Sequence, residues 1–560
     1  MRLEYFLPLL LLVNASCDKN NVPKEESDTF FGAAVPQQGI SKVNMMDDFP
    51  GSYLMVDWET KAKNYDAYVF DWNRTSGPGA LIWMDISGKE PGFGLYTTVG
   101  DVRQGPSNPS GHEAINTIAA VLSGGLMGID KTNQDGFNYP KMLQNYFAST
   151  NGWNIMLNNT SGYATDWWYN ILPNILYYGV CDIFPNVSGA ADIQKCIAEQ
   201  FASADKALGK SYDWSYFDYG LMRGVSNRIP HQQDAAGGHG YVLLCAYHKF
   251  GDENYLEHCK NAIDVLNSQT ESRFYEILLP FGIYTAARLN AEEGTDYDVK
   301  KMLNWVFNGS AGRSGWGVIT GKWGTYSVDG LQGSTTDGGG YAFLMNSFEM
   351  AWPLVPMVKY QPQFAAAIGK WMLNNASASR LFYPCDIDDE HQYAPELKNL
   401  TSNNVAYEGL RFSDRYGNKN VCPIAEGDGP SWTSSNPVSS MFSLYSTSPV
   451  GIFGSMIRKT DVDGILRLDC NVTDFYAERP YPVYLYYNPY GEEKSVTYHT
   501  DDKKDIFDIV SKSFLGKNVS GSGHIIIPPK GAVVVYEFPA GTVLKYDDGK
   551  IIADGKYIIS

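Results

Sequence analysis

The sequence has little positive charge. Its 44 Lys and Arg are outnumbered by 62 Asp and Glu, a formal charge of −18 over 560 residues, and no basic run is longer than a short pair. Nothing of this kind neutralises a phosphate backbone, so nucleic acid is excluded as a partner. Histidine is scarce and scattered, no HExxH occurs, and none of the 8 cysteines lies in a CxxC; no metal site and no cofactor are expected. Gly124-Gly125 and Gly338-Gly339-Gly340 are not followed by Lys-Ser or Lys-Thr, so neither is a phosphate loop. Beyond the first residues, no segment approaches the roughly 18 uninterrupted apolar residues that a membrane helix requires.

What is present describes a chain that folds. Hydrophobic residues make up 44%, aromatics 14% and charged residues 19%, far from the composition of disordered chains. With 13 Trp, 38 Tyr and 55 Gly, the chain is suited to displaying aromatic faces from Gly-rich loops, an arrangement that stacks on sugar rings. Met1-Arg2 followed by the apolar run Phe6–Val13 reads as an export signal. The succeeding Asn14-Ala15-Ser16-Cys17 resembles a bacterial lipoprotein signal, which implies lipidation of Cys17. Residues 1–17 are therefore expected to be a leader and 18–34 a tether. The protein would be an exported lipoprotein of the cell envelope, in the outer membrane or periplasm, held to the membrane by a lipid on Cys17.

In the middle of the chain, helical pairs recur. Residues 253–268 place Leu256, Cys259, Ile263 and Leu266 on one stripe, while Ala235 to Phe250, just before, is apolar nearly all round. An inner helix, a Gly251-Asp252 turn and an outer helix follow from that pattern. Similar pairs are expected at 112–124 with 139–149, 166–184 with 188–207, 274–292 with 296–307, and 337–355 with 361–375; Ser443 to Ile457 supplies a sixth inner segment with no evident partner. The near-total burial of the first helix in each pair points to a closed ring rather than an open solenoid. Residues 35–105 read as a small mixed β region, with Tyr68-Val69-Phe70 and Leu81 to Met84 strand-like, residues 106–460 as the helical barrel, and 461–560 as an antiparallel β-sandwich. The fold class expected is mainly α with β: an (α/α)6 toroid of helical hairpins plus that C-terminal sandwich.

This layout, with Thr165-Asp166-Trp167-Trp168, Gln233 to His239 (QDAAGGH) and Thr336 to Tyr341 (TDGGGY), resembles the six-hairpin, (α/α)6-barrel carbohydrate-active enzymes of bacterial polysaccharide-degrading systems. The resemblance implies a glycoside hydrolase acting on a poly- or oligosaccharide. It leaves open a polysaccharide lyase, for which His239, Tyr241, Asn346 and Arg223 are available, and a non-catalytic glycan-binding surface lipoprotein.

In a ring of hairpins the inner helices all run the same way, so acids at their starts enter one cleft. Glu113, Asp166, Asp234, Glu276 and Asp337 meet that condition. Glycoside hydrolysis uses two carboxyl groups, one protonated and one ionised. Asp234 and Asp337, each followed by small residues, are the first pair expected, with Glu276 and Asp166 in reserve. Trp167, Trp168, His239, Tyr241, Trp316, Trp323 and Tyr341 are the expected substrate-binding residues.

Overall fold

The computed structural model describes residues 31–560 apart from 89–90, 109–112, 160–163, 418, 548–549 and 560. The expected leader, Cys17 and most of the tether lie outside the described residues. In chain order the α-helices are α1 (Trp58–Val69), α2 (Ala114–Leu126), α3 (Tyr139–Met142), α4 (Trp168–Ile183), α5 (Ala190–Leu208), α6 (Ala235–Phe250), α7 (Glu253–Ser268), α8 (Leu278–Glu293), α9 (Val299–Asn308), α10 (Leu344–Glu349), α11 (Ala351–Tyr360), α12 (Ala365–Ala378), α13 (Gly429–Trp432), α14 (Leu444–Thr447) and α15 (Val450–Met456).

Burial separates inner from outer helices. Every residue of α6 from Ala235 to Ala246, and of α8 from Leu278 to Leu289, is buried. By contrast α7 buries only one side, Tyr255, Leu256, Cys259, Ala262, Ile263, Val265 and Leu266. The inner helices pack in a circuit: α2 on α4, α4 on α6, α6 on α8, α8 on α11, α11 and α10 on α15, and α15 back on α2. Two glycines bring α6 and α8 together. A Cβ at Gly237 would stand 2.7 Å from Leu278 O, and one at Gly282 would stand 2.7 Å from Gly237 Cα, so the two backbones touch where they cross. Outside, α5 packs on α4 and α6, α7 on α6 and α8, α9 on α8, and α12 on α11.

The sixth inner segment finds its partner at the other end of the chain, where α1 packs along α15. Tyr68-Val69-Phe70, expected as a strand, instead ends α1. Asp57 caps that helix by accepting from Thr60 N–H at 3.0 Å, and Trp58, Ala62, Tyr65 and Val69 make its buried face. Leu81 to Met84 does lie in a small β layer, with Ile82–Asp85 paired to Gly92–Leu95.

A second correction concerns residues 337–355, which do not form one inner helix. Asp337–Gly339 is a 3-10 turn, Tyr341–Phe343 is a strand, and helix begins only at Leu344. Gly338, Gly339 and Gly340 take φ of 57°, 91° and 145°, values a continuing helix cannot use. The strand sits in a five-stranded antiparallel sheet, ordered Ile424–Glu426, Gly409–Arg411, Tyr341–Phe343, Gln332–Ser334, Trp316–Val318.

The C-terminal strands form a six-stranded antiparallel sheet, ordered Ile457–Lys459, Leu466–Asp469, Val483–Tyr487, Ala532–Pro539, Lys494–Asp508, Ser513–Ile527, with a separate three-stranded meander after it. Alternation divides the larger sheet's residues between two cores. Leu485, Tyr487 and Val534 join the main core, whereas Tyr486, Val496, Val533 and Val535 form a smaller one. Where a facing sheet is expected, it is helix α12 that packs on Val483–Tyr487 and Ala532–Pro539. Among the described residues no helix is long and apolar enough to cross a membrane.

Candidate active site

Acids stand at the starts of four inner helices. Glu113 and Asp234 occupy the N-cap positions of α2 and α6, and Asp166 and Glu276 lie just ahead of α4 and α8. Three of these four meet. Tyr275 joins them, its hydroxyl donating to Asp166 Oδ2 at 3.2 Å and its backbone N–H to Asp234 Oδ2 at 3.0 Å. Glu276, next in the chain, pairs with the Arg313 guanidinium and accepts from Asn346 Nδ2 at 2.9 Å. Arg313 itself lies between two rings, 4.4 Å from the Tyr275 centroid and 4.3 Å from that of Trp316.

Aromatic residues extend the site sideways. Tyr445, on α14, donates to the Tyr169 hydroxyl at 3.3 Å and stacks on Phe343, which stacks in turn on Tyr341. The Tyr341 hydroxyl donates to Glu408 Oε1 at 3.4 Å. Close to Tyr169 and Tyr445, Glu113 accepts from the Asn158 amide.

Burial sets the protonation of these acids. It pushes Glu276 up to about 7; Arg313 opposes the rise, and the Asp166 charge adds to it. Burial raises Asp166 also, against the Gln232 amide and the Arg313 charge that favour its ionised form. Asp234 is pushed to about 7 against the Tyr275 N–H bond, and Glu113 to about 7 against the Asn158 bond. Glu408 rises to about 8, through burial and then the neighbouring Asp428 charge. Among the described residues no group of three or more His, Cys, Asp or Glu is arranged to hold a metal ion.

A pH dependence follows. Glu276 has an ordinary value of 4.5 and a folded value of about 7, so the native state holds its proton more tightly than the unfolded chain does. Its contribution to stability is fully present below about pH 4.5 and is lost as pH rises through about 7. Thermal melts of wild type and Glu276→Gln at pH 5 and pH 8 check this: the wild type should lose more stability than the variant on going to pH 8. Equal losses would contradict the assignment.

Asp337 stands apart from the three acids. Its side chain is 54% exposed and bonds Arg411 Nη1 at 3.0 Å; Arg411 also pairs with Glu426 at 3.0 Å and Asp428 at 3.3 Å. An exposed pair of this kind contributes about 0–1 kcal/mol. Asp337→Asn should therefore leave the denaturation midpoint nearly unchanged and activity within a few-fold of wild type, and a complete loss of turnover would return this residue to the catalytic pair.

Several expected sugar contacts are core residues. Trp167, His239 and Tyr241 are 0%, 0% and 1% exposed, which leaves no face for a ligand. Trp167 stacks on Tyr212, His239 bonds the Tyr219 hydroxyl at 2.8 Å, and the Tyr241 hydroxyl accepts from Trp352 Nε1 at 3.2 Å. Their polar atoms are satisfied inside the ring. Trp168 is 3% exposed and lies against Tyr169. Trp316 is likewise buried, but its indole N–H donates to Glu276 O at 3.0 Å, so it braces the site from behind. Trp323, 6% exposed, lies under Gly340, where a Cβ would meet its ring at 2.4 Å. Tyr341 keeps a partly open face beside Arg411, whose guanidinium is 4.0 Å from the ring centroid. Arg223, on the short strand Arg223–Val225 paired with Tyr216–Asp218, is exposed.

Residues that sequence reasoning left unassigned complete the site: Tyr275, Arg313, Tyr169, Tyr445, Glu408 and Arg411. Tyr275 adjoins Glu276 in the chain, a signal that was legible. Arg411 and Glu408 are brought in by the pairing of Tyr341–Phe343 with Gly409–Arg411, for which three-residue strands leave no periodicity.

No known family matches the chain, and no curated protein does. Among solved structures it is similar to a GH127 β-L-arabinofuranosidase from Geobacillus stearothermophilus T6, at 11% identity over 90% of this chain and 85% of that one, with a TM-score of 0.35. It is similar to a glycoside hydrolase at 9% identity over 94% and 84%, with a TM-score of 0.38. An α-L-rhamnosidase from Dictyoglumus thermophilum matches at 9% identity over 87% of this chain and 50% of its own, with a TM-score of 0.32.

Proposed function

We propose that this chain is a glycoside hydrolase, built on an (α/α)6 toroid, that cleaves a poly- or oligosaccharide with Glu276 as general acid and Asp166 as the ionised partner. The observation that carries this reading is the meeting of Asp166 and Glu276 at the starts of neighbouring inner helices, around Arg313 and Tyr275. Glu276 is buried and its carboxyl is raised to about 7, the range of an acid that donates to a leaving oxygen near neutrality. Asp166 is the more open of the two, and the bonds from Gln232 and the Tyr275 hydroxyl favour its carboxylate. It is placed to activate water or to attack the anomeric carbon. When Glu276 has given up its proton, Arg313 stabilises the carboxylate left behind.

This pair replaces Asp234 with Asp337 as the first choice. Asp234 is 1% exposed and spends Oδ2 on the Tyr275 backbone, so its role is to fix the turn that presents Glu276. The lyase reading loses two of its bases, since His239 and Tyr241 are enclosed. Export and a lipid anchor on Cys17 belong to the same proposal, with the substrate a glycan met at the cell envelope. Release of reducing sugar from a panel of plant, fungal and host glycans, compared between wild type and Glu276→Gln, tests the function. A product absorbing in the ultraviolet as an unsaturated uronate would make it a lyase instead. Partition of the full chain into detergent, and its release by Cys17→Ser, tests the anchor.

A further inference from the structure

Beneath Glu276 lies a second acid that the mechanism does not use. Glu349, the last residue of α10, is 0% exposed, and neither of its oxygens has a hydrogen-bond partner. One helical turn earlier on the same face stands Asn346, also 0% exposed, whose Oδ1 is unpartnered as well. The other end of that amide is occupied: Asn346 Nδ2 donates to Glu276 Oε2 at 2.9 Å and to Glu276 O at 3.0 Å.

Two buried polar groups without partners on adjacent turns are costly unless they bond each other. An ionised Glu349 offers Asn346 Oδ1 nothing, because both are then acceptors. A neutral Glu349 offers one O–H. The elements packed on α10 bring Tyr445 from α14, Tyr341 from its strand, Arg380 from the turn Ser379–Phe382 and Lys359 at the far end of α11. None of these bonds Glu349, and the charge that acts on it is that of Glu276, which together with burial favours its neutral form.

We propose that Glu349 is a neutral carboxylic acid that donates its O–H to Asn346 Oδ1, and so fixes the Asn346 amide with its N–H toward Glu276. The amide nitrogen and oxygen are close to isosteric; the bond to Glu276 O holds the nitrogen end of the group, and a donor on Oδ1 holds its other end. Glu349 is thus a positioning residue for the acid assigned above, and its role in turnover rests on that assignment.

The test uses the full chain labelled with 13C-glutamate and difference infrared titration, with bands assigned by Glu276→Gln and Glu349→Gln. Wild type should show a protonated Glu349 carbonyl that persists at pH 8. Glu349→Met removes the donor at similar length, whereas Glu349→Gln keeps an N–H donor. In Glu349→Met the Glu276 carboxyl should titrate at higher pH than in wild type, since the N–H that favours its ionised form is no longer held in place. In Glu349→Gln it should titrate as in wild type. These readings need no substrate. On a cleaved glycan, Glu349→Met should lower kcat at least 10-fold with KM little changed and move the alkaline limb upward, and Glu349→Gln should restore both. Circular dichroism shows whether the variants fold; if Glu349→Met does not, Glu349→Ala, which also lacks the donor, supplies the same titration. An ionised Glu349 at pH 8, or a Glu276 titration unmoved by a folded donor-less variant, overturns the proposal. A wild type that cleaves no glycan while the titrations behave as stated overturns the hydrolase reading and leaves the positioning of Glu276 standing.

Discussion

Glu276→Gln is expected to lower kcat by about 10²- to 10⁴-fold, the range for losing a general acid, with KM little changed. Gln keeps the length of the side chain and an oxygen that accepts from Asn346 Nδ2, so the turn between Tyr275 and α8 should hold its shape. What Gln cannot do is release a proton to the leaving oxygen. A substrate with a leaving group that departs without protonation, such as a dinitrophenyl glycoside of the cleaved sugar, should recover much of the lost rate. Asp166→Asn should be comparably slow on both substrates, because the ionised partner is needed whatever the leaving group. If Glu276→Gln turns over the natural glycan at near-normal rate, Glu276 is not the acid, and Glu113, also raised to about 7 at the start of α2, becomes the residue to test.

The largest loss of stability is expected far from this cleft, at Asp474. This side chain is fully buried and accepts from Lys359 Nζ and from the hydroxyls of Tyr284 and Tyr360, the last at 2.9 Å. It ties the segment after strand Leu466–Asp469 to the middle of α8 and the C-terminal end of α11, with Thr473 donating to Trp352 O at 2.9 Å and Phe475 lying against the Trp352 ring. Asp474→Ala removes the acceptor of two phenols and the counter-charge of a lysine ammonium, which keeps only Asn471 Oδ1 at 2.8 Å. Breaking a buried ion pair from one side costs about 3–5 kcal/mol, readable as a fall in the denaturant midpoint. Removing both charges, as Asp474→Leu with Lys359→Met, should recover a large part of that loss. A single variant as stable as wild type would mean that the network relaxes around the gap. Activity of the folded fraction should be unaffected, since the cleft is at the opposite ends of the same helices.

The inner helices were legible because burial on every side leaves a run with no polar face: Ala235 to Phe250 reads as enclosed, and Ala235 to Ala246 is. The meeting of Asp166, Asp234 and Glu276 around Tyr275 is of the kind that reading expects, since parallel inner helices place their starts together. The site was less legible where contacts span the chain. Arg313 meets Glu276 across 37 residues and Tyr341 meets Glu408 across 67, and no local pattern announces either. Trp167 was read as a stacking platform, and His239 and Tyr241 as hydrogen-bonding or stacking groups, because each follows an acid at the start of an inner segment. The structure gives their polar atoms to Tyr219 and Trp352, partners that periodicity cannot name. At 337–355 the difference was of another kind: three successive glycines, read as room for a ligand, also end any helix, so the expected inner helix begins only at Leu344.

The packing of α1 along α15 bears on how the chain assembles. About 380 residues separate the two helices, and bringing such distant segments together in an unfolded chain carries a loop-closure entropy of about 5 kcal/mol by the logarithmic law. That term falls once the intervening hairpins have condensed, because their folded bodies carry α1 and α15 into reach of each other. The natural order is therefore hairpins first and closure last, with the seam between the first and last helices as the final wall. Until it shuts, Trp58, Ala62, Tyr65 and Val69 on one side and the buried face of α15 on the other stand open to water and to other chains. Fragments that lack either end keep that seam open permanently, so aggregation rather than loss of chemistry is their first failing.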